Sequence, residues 1–237
     1  MLLTSALYSN TINVAVAANV SYAMDSLIAE FNKSNPNTKV NVTLGSSGKL
    51  TAQILHGAPY DIFMSANMKF PFTVYEKGKS STEPKIYAYG SLAILSSKKR
   101  DFSKGIKLLE DENIKRIAVA NPKTAPYGMA SFEALKNANI LDEIKSKFIY
   151  GESISSTVSY TVTATDIGIV AKSSLYSSKM TGFKKDINWV EIDSKLYTPI
   201  EQGIVVIKDT KKVKEFYNFI LSKNAKKIFE NYGYKIP

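Results

Sequence analysis

Apolar positions along the chain switch between a spacing of two and a spacing near 3.6, and the switches mark its elements. Ile12-Asn-Val-Ala-Val-Ala17 is a short β-type run. Val20, Ala23, Met24, Leu27, Ile28 and Phe31 then recur at helical spacing and form one apolar face. Thr38 to Leu44 alternates as a strand, Gly45-Ser-Ser-Gly48 turns, and Lys49 to His56 reads as a helix that ends at Gly57-Ala-Pro59. Further on, the pattern predicts strands over Asp61–Ser65, Ile86–Ser96, Ile117–Ala120, Ile167–Ala171, Asn188–Ile192 and Gly203–Ile207. Helices are predicted near Lys69–Lys77, over Met129–Ala138, from Ser153-Ile-Ser155 to Tyr160, and over Lys212–Leu221 and Ala225–Tyr232.

Strands separated by helices, without an internal repeat, predict an α/β fold with largely parallel sheets. About eight strand candidates over this length suit two lobes better than one sheet. Breaks around Glu83-Pro84 and Thr198-Pro199 let the chain cross between the lobes twice. The expected division is residues 11–87 plus 200–237 for one lobe and 88–199 for the other, with a cleft between them.

Composition narrows the function classes. The 237 residues are 44% apolar and 22% charged, with only 12 Gly and 8 Pro, which excludes a disordered or collagen-like chain. No apolar run approaches the roughly 20 residues that a membrane-crossing helix needs. Residues 1–10 are small and apolar but lack a basic start, and they read as the remnant of a signal peptide, which implies export. The absence of cysteine removes disulfides, thiolate metal sites and a cysteine nucleophile. The single histidine, His56, precedes Gly57 at a helix end and reads as a partner of the helix dipole rather than a base. Asp61 and Asp166 each precede an apolar strand and read as structural hydrogen-bonding groups. No catalytic pair stands out, and no enzyme activity is expected. The net charge of +10 is spread over short basic runs such as Lys98-Lys99-Arg100 and Lys226-Lys227, a solvated surface rather than a nucleic-acid interface.

One local design recurs: a strand or loop ends in small or hydrogen-bonding residues where a helix begins. It occurs at Ala18-Asn19, Ser46-Ser47, Pro126-Tyr127-Gly128 and Ser153-Ile154-Ser155. Each taken singly reads as an N-cap. A helix start also leaves about four N–H groups unpaired and favours negative charge, so four of them at the C-terminal ends of strands could wrap an anion. Spacing does not name that anion. Lys49 follows Gly48, but the turn lacks the pattern of a phosphate-binding loop.

Read in order, Val14-Ala-Val-Ala-Ala-Asn19, Gly45-Ser-Ser-Gly48, Gly57-Ala-Pro-Tyr-Asp-Ile-Phe-Met-Ser-Ala66, Ala120-Asn-Pro-Lys-Thr-Ala-Pro-Tyr-Gly128, Gly151-Glu-Ser-Ile154 and Asp166-Ile-Gly-Ile-Val-Ala171 resemble the successive motifs of the periplasmic molybdate-binding proteins of ABC importers. The resemblance runs from Ile12 to the C-terminus. It implies a two-lobe periplasmic-binding-protein fold of type II and an interlobe site for molybdate or tungstate. It also implies a periplasmic location and delivery to an ABC permease in the inner membrane, by a monomer without a cofactor. Carried over residue by residue, the ligand-binding positions are Ala18, Asn19, Ser47, Tyr127 and Ile154, with Ser46 beside them. Asn19 and Ser47 would donate from side chain and backbone, Tyr127 and Ile154 from backbone N–H, and no residue would ligate a cation directly. Some members carry Tyr where Ala171 stands, so that hydroxyl is missing here.

An all-donor shell suits a fully ionised oxyanion, whereas a protonated phosphate needs an acceptor. Cavity size would separate molybdate and tungstate from the smaller sulfate. Rival readings are a receptor for another oxyanion such as sulfate, or one of two other users of this fold. Hydroxymethylbilane synthase holds its cofactor through a cysteine, which is absent, and a transcription regulator needs a DNA-binding domain. A bound anion should close the lobes about crossings near Ala88 and Pro199.

Overall fold

The computed structural model describes residues 11–237. The expected signal-peptide remnant, residues 1–10, lies outside the described residues.

Among the described residues, ten strands form two five-stranded sheets. The first sheet has the order β2-β1-β3-β10-β4, from β1 (Thr11–Ala17), β2 (Lys39–Gly45), β3 (Ile62–Ser65), β4 (Lys85–Gly90) and β10 (Ile200–Val206). The second has the order β7-β6-β8-β5-β9, from β5 (Leu92–Leu95), β6 (Ile117–Ala120), β7 (Phe148–Gly151), β8 (Ile167–Ala171) and β9 (Trp189–Glu191). We call the bodies built on them lobe 1 and lobe 2. The α/β class with two lobes is as the sequence implies.

Each sheet is covered on both faces, and period two along the strands sends alternate residues to each. In β1, Val14 and Val16 join a core with Leu27 and Phe31 of α1 (Ser21–Ser34), Phe216 of α7 (Lys211–Ile220) and Phe229 of α8 (Lys223–Asn231). Ala15 instead faces Leu50 and Ile54 of α2 (Ser47–Leu55) and Val74 of α3 (Lys69–Glu76). Phe31 and Phe216 meet edge to face at 5.0 Å, and each such buried side chain contributes about 1.5–3 kcal/mol. In lobe 2, α4 (Pro126–Asn137) and the short α5 (Leu141–Ile144) cover one face, and α6 (Ile154–Thr163) covers the other.

The sheets are mixed rather than largely parallel, which corrects the sequence reading. β1, β2 and β3 run parallel, as do β6, β7 and β8, but β10 is antiparallel to both its neighbours and so is β5. The reason is topological. A chain leaving one lobe at its cleft edge enters the other at the cleft edge, so the first strand after each crossing, β5 outbound and β10 on return, must run away from the cleft. The predicted strand Ile86–Ser96 is likewise two strands in different sheets, parted at Ser91. Ala88, where the sequence divides the lobes, lies inside β4 opposite Gln202. β7 escaped the sequence reading altogether, and α4 begins at Pro126 rather than Met129.

Candidate functional site

The parallel strands of both lobes point their C-terminal ends at one cavity. β1 ends in Ala17 and runs into a 3-10 turn, Ala18–Val20, that leads directly into α1. β2 delivers Gly45, Ser46 and the start of α2, and Ala66 follows β3. From lobe 2 come Ala125, Pro126 and Tyr127 at the start of α4, and Ile154 at the start of α6. These residues enclose a small cavity of about 10 Å3 of free space, which admits roughly one water-sized sphere. All six sequence-predicted positions, Ala18, Asn19, Ser46, Ser47, Tyr127 and Ile154, line it.

The ends of these helices differ from ordinary capped ones. Ser46 is the N-cap of α2, yet its side chain caps nothing, and neither α1 nor α4 receives a side-chain cap. Only α6 is capped in the usual way, by Ser153, whose hydroxyl accepts from the Ser156 N–H in a capping box. Pro126 occupies N1 of α4, where no N–H is needed, and leaves Tyr127 as the first free donor of that helix. Gly128 follows because α4 starts almost on top of β6: a Cβ there would collide with the Ala120 carbonyl.

Buried polar side chains sharpen the picture. Ser46 Oγ is buried without a hydrogen-bond partner. Ser47 Oγ accepts from the Ala66 N–H at 2.9 Å, which leaves its own proton to be donated. The Asn19 side chain is arranged differently from the sequence expectation: its Nδ2 donates to Gln202 Oε1 and to Tyr234 Oη, both at 2.8 Å. Its amide hydrogens are therefore spent inside lobe 1, and its Oδ1 is buried without a partner. Burial pushes the Tyr127 and Tyr234 hydroxyls well above the ordinary tyrosine value, so both stay neutral. The lining contains no Asp, Glu, Lys, Arg or His. Among the described residues no cluster of His, Asp or Glu could hold a metal ion.

Sequence reasoning missed Gln202 and Tyr234, which hold Asn19 from 183 and 215 residues away. It also missed Ala66, whose N–H fixes Ser47; the small residue just past a buried strand end is the one signal that could have pointed to it. Both aspartates are hydrogen-bonded as expected: Asp61 Oδ2 accepts from the Asn13 N–H at 2.7 Å and Asp166 Oδ2 accepts from the Lys115 and Arg116 N–H groups, while His56 stands at the C-cap of α2.

The lobes touch around the cavity rim. The Gly48 N–H donates to the Thr124 carbonyl at 2.9 Å, and Lys49 Nζ lies 2.7 Å from Glu152 Oε2. This is a closed cleft with uncharged donors inside.

Residues 12–235 match the family described as bacterial extracellular solute-binding protein. The chain belongs to that family. It is similar to the molybdate-binding protein ModA of Azotobacter vinelandii, 30% identical over 98% of this chain and 93% of the relative. The molybdate-binding protein ModA of Rhodobacter capsulatus is also 30% identical, over 93% and 86% of the two chains. Among solved structures, the periplasmic molybdate-binding protein of Azotobacter vinelandii superposes with a TM-score of 0.87 at 28% identity, covering 95% of this chain and 99% of that one. A sulfate-binding protein of Mycobacterium tuberculosis shares the fold at 15% identity and a TM-score of 0.77, over 95% and 86%. As a solute-binding protein, the chain is a transport receptor of two lobes.

Proposed function

We propose that the chain captures molybdate, and tungstate with it, in the interlobe cavity and delivers it to an ABC permease. The observation that carries this reading is the cavity wall: helix starts without side-chain caps and a buried, unpartnered Ser46 hydroxyl, with no charged side chain. Such a wall has donors to give, although Asn19 Oδ1 and Tyr127 Oη are also buried there without a partner. A doubly ionised tetrahedral oxyanion supplies acceptors on every side, and the helix dipoles favour its charge. The relatives named for molybdate point to the same ion.

Ala18, Asn19, Tyr127 and Ile154 would donate backbone N–H groups, Ser47 its N–H and hydroxyl, and Ser46 its hydroxyl. The cavity is tight, so a four-oxygen ion enters as the lobes part and is enclosed as they return. The protein would work outside the cytoplasm as a monomer, with no cofactor and no chemistry performed on its ligand.

Calorimetric titration with molybdate, tungstate, sulfate and phosphate tests the reading. Molybdate and tungstate should bind and raise the melting temperature; at a thousandfold excess over Kd the stabilisation is about 4 kcal/mol. Sulfate and phosphate should do little, and equal responses to sulfate and molybdate would reject selection by size.

A further inference from the structure

Two consecutive carbonyls in the cavity's first turn are each held from both lobes. The Ala18 carbonyl accepts from Ser21 Oγ at 2.7 Å and from Ser155 Oγ at 2.9 Å. The Asn19 carbonyl accepts from Tyr234 Oη at 2.9 Å and from Ser173 Oγ at 3.1 Å. Ser21 and Tyr234 belong to lobe 1. Ser155 stands on α6 and Ser173 on the 3-10 turn that follows β8, both in lobe 2.

The Ala18 carbonyl also accepts from the Ser21 N–H, so each of the two carbonyls is held from lobe 1 and takes one further donor from lobe 2. When the lobes separate, each carbonyl keeps its lobe 1 donor and exchanges the other for water, so neither state leaves a buried acceptor unpaired. The contact can therefore be made and broken at little cost. It also reaches the ligand side. The peptide whose oxygen is Ala18 O carries the Asn19 N–H at its other end, and a donor on the oxygen polarises that N–H into a stronger donor.

We propose that Ser155 and Ser173 are positioning residues through which lobe 2 fixes the anion-binding turn of lobe 1 on closure, so that they set affinity without touching the ion. The proposal rests on the oxyanion reading of the cavity for its effect on affinity. Its effect on closure is independent of any ligand.

The test uses the full chain. With no native cysteine, Lys39→Cys and Lys136→Cys place one spin label on an exposed site of each lobe. Without anion, Ser155→Ala with Ser173→Ala should move the interlobe distance distribution toward longer values than in the otherwise unchanged labelled protein. In calorimetry with molybdate, each single alanine variant should bind about fivefold more weakly, and Ser155→Thr, which retains the hydroxyl, should recover the loss. Circular dichroism identifies variants that have not folded, and Ser155→Ala alone, at a half-buried position, then carries both measurements. An unchanged distance distribution overturns the proposal whatever the ligand. So does a Thr variant as weak as the Ala variant. If the unsubstituted protein fails to bind molybdate, the ligand assignment falls, and the distance measurement still decides the role of the two serines.

Discussion

The Gly48 amide of lobe 1 is bonded directly to the Thr124 carbonyl of lobe 2, one residue from the Ser47 that lines the cavity. That approach leaves no room for a side chain. A Cβ on residue 48 would lie 3.0 Å from both Cα and O of Thr124 and 3.1 Å from Phe70 Cζ. Gly48→Ala should hold the lobes apart and weaken molybdate binding by roughly tenfold, in line with other overpacked sites. Two of the three crowded atoms belong to the opposite lobe, so the melting temperature without ligand should change little. Calorimetry and thermal unfolding together separate a closing defect from a folding defect.

Ser46 and Ser47 are neighbours with opposite expected costs. Ser47→Ala removes a donor to the ion and strands the buried Ala66 N–H, so affinity should fall about ten- to a hundredfold and the ligand-free protein should lose stability as well. Ser46→Ala removes a hydroxyl that has no partner in the protein, so binding should weaken while ligand-free stability is maintained or rises. Paired melting curves with and without molybdate distinguish the two patterns.

Asn19→Ala should behave as a fold mutation first. It strips Gln202 Oε1 and Tyr234 Oη of a buried donor, a loss of about 1–3 kcal/mol that appears in chemical denaturation without any anion present. Weaker binding follows because the turn carrying the Asn19 N–H is no longer held. A variant with native stability and lost affinity would instead restore the side chain as a direct ligand contact.

The rim pair Lys49–Glu152 should matter least. Both side chains are largely exposed, so Lys49→Ala should change affinity by less than about threefold, and less still in high salt. The hydrogen bond from Lys49 lowers the Glu152 pKa below its ordinary 4.5, with the lysine charge acting in the same direction. A lowered acid pKa in the closed form means that the pair favours closure fully above the ordinary value and loses that effect as pH falls through the lowered one. On this account affinity is flat between pH 8 and 5, which titrations across that range will check.

The sequence yields most of the site because the site is built from backbone. A cavity made of N–H groups at helix starts is announced by small, hydroxyl or proline residues where a strand or loop gives way to a helix, and Ala18, Ser47, Tyr127 and Ile154 all stand in that setting. Asn19 shows where this stops: the residue is found, but the partners that turn its amide inward are on β10 and near the C-terminus, with no local signal. The fold was legible where the apolar period is clean, as in β1 and β6. The unbroken apolar stretch through Gly90-Ser-Leu92 hid a change of sheet, because periodicity reports burial and not which body does the burying. β7 went unseen because Ile149 and Tyr150 are exposed in a strand of only four residues, which leaves no alternation to detect.

The order of strands also sets an order of assembly. All five strands of lobe 2, β5 to β9, are contiguous in the chain, so its sheet is complete once the polypeptide has been synthesised through Glu191, and Ile192, Tyr197 and Ile200 complete its core. Lobe 1 must wait. β10 sits between β3 and β4, and until residues 200–206 have been made its sheet has a gap in the middle rather than at an edge. Lobe 1 thus joins the earliest and the latest segments of the chain, and Tyr234 supplies hydrogen bonds that set Asn19 in place. A molecule cut before β10 therefore lacks both the middle strand of lobe 1 and the side chain that holds Asn19.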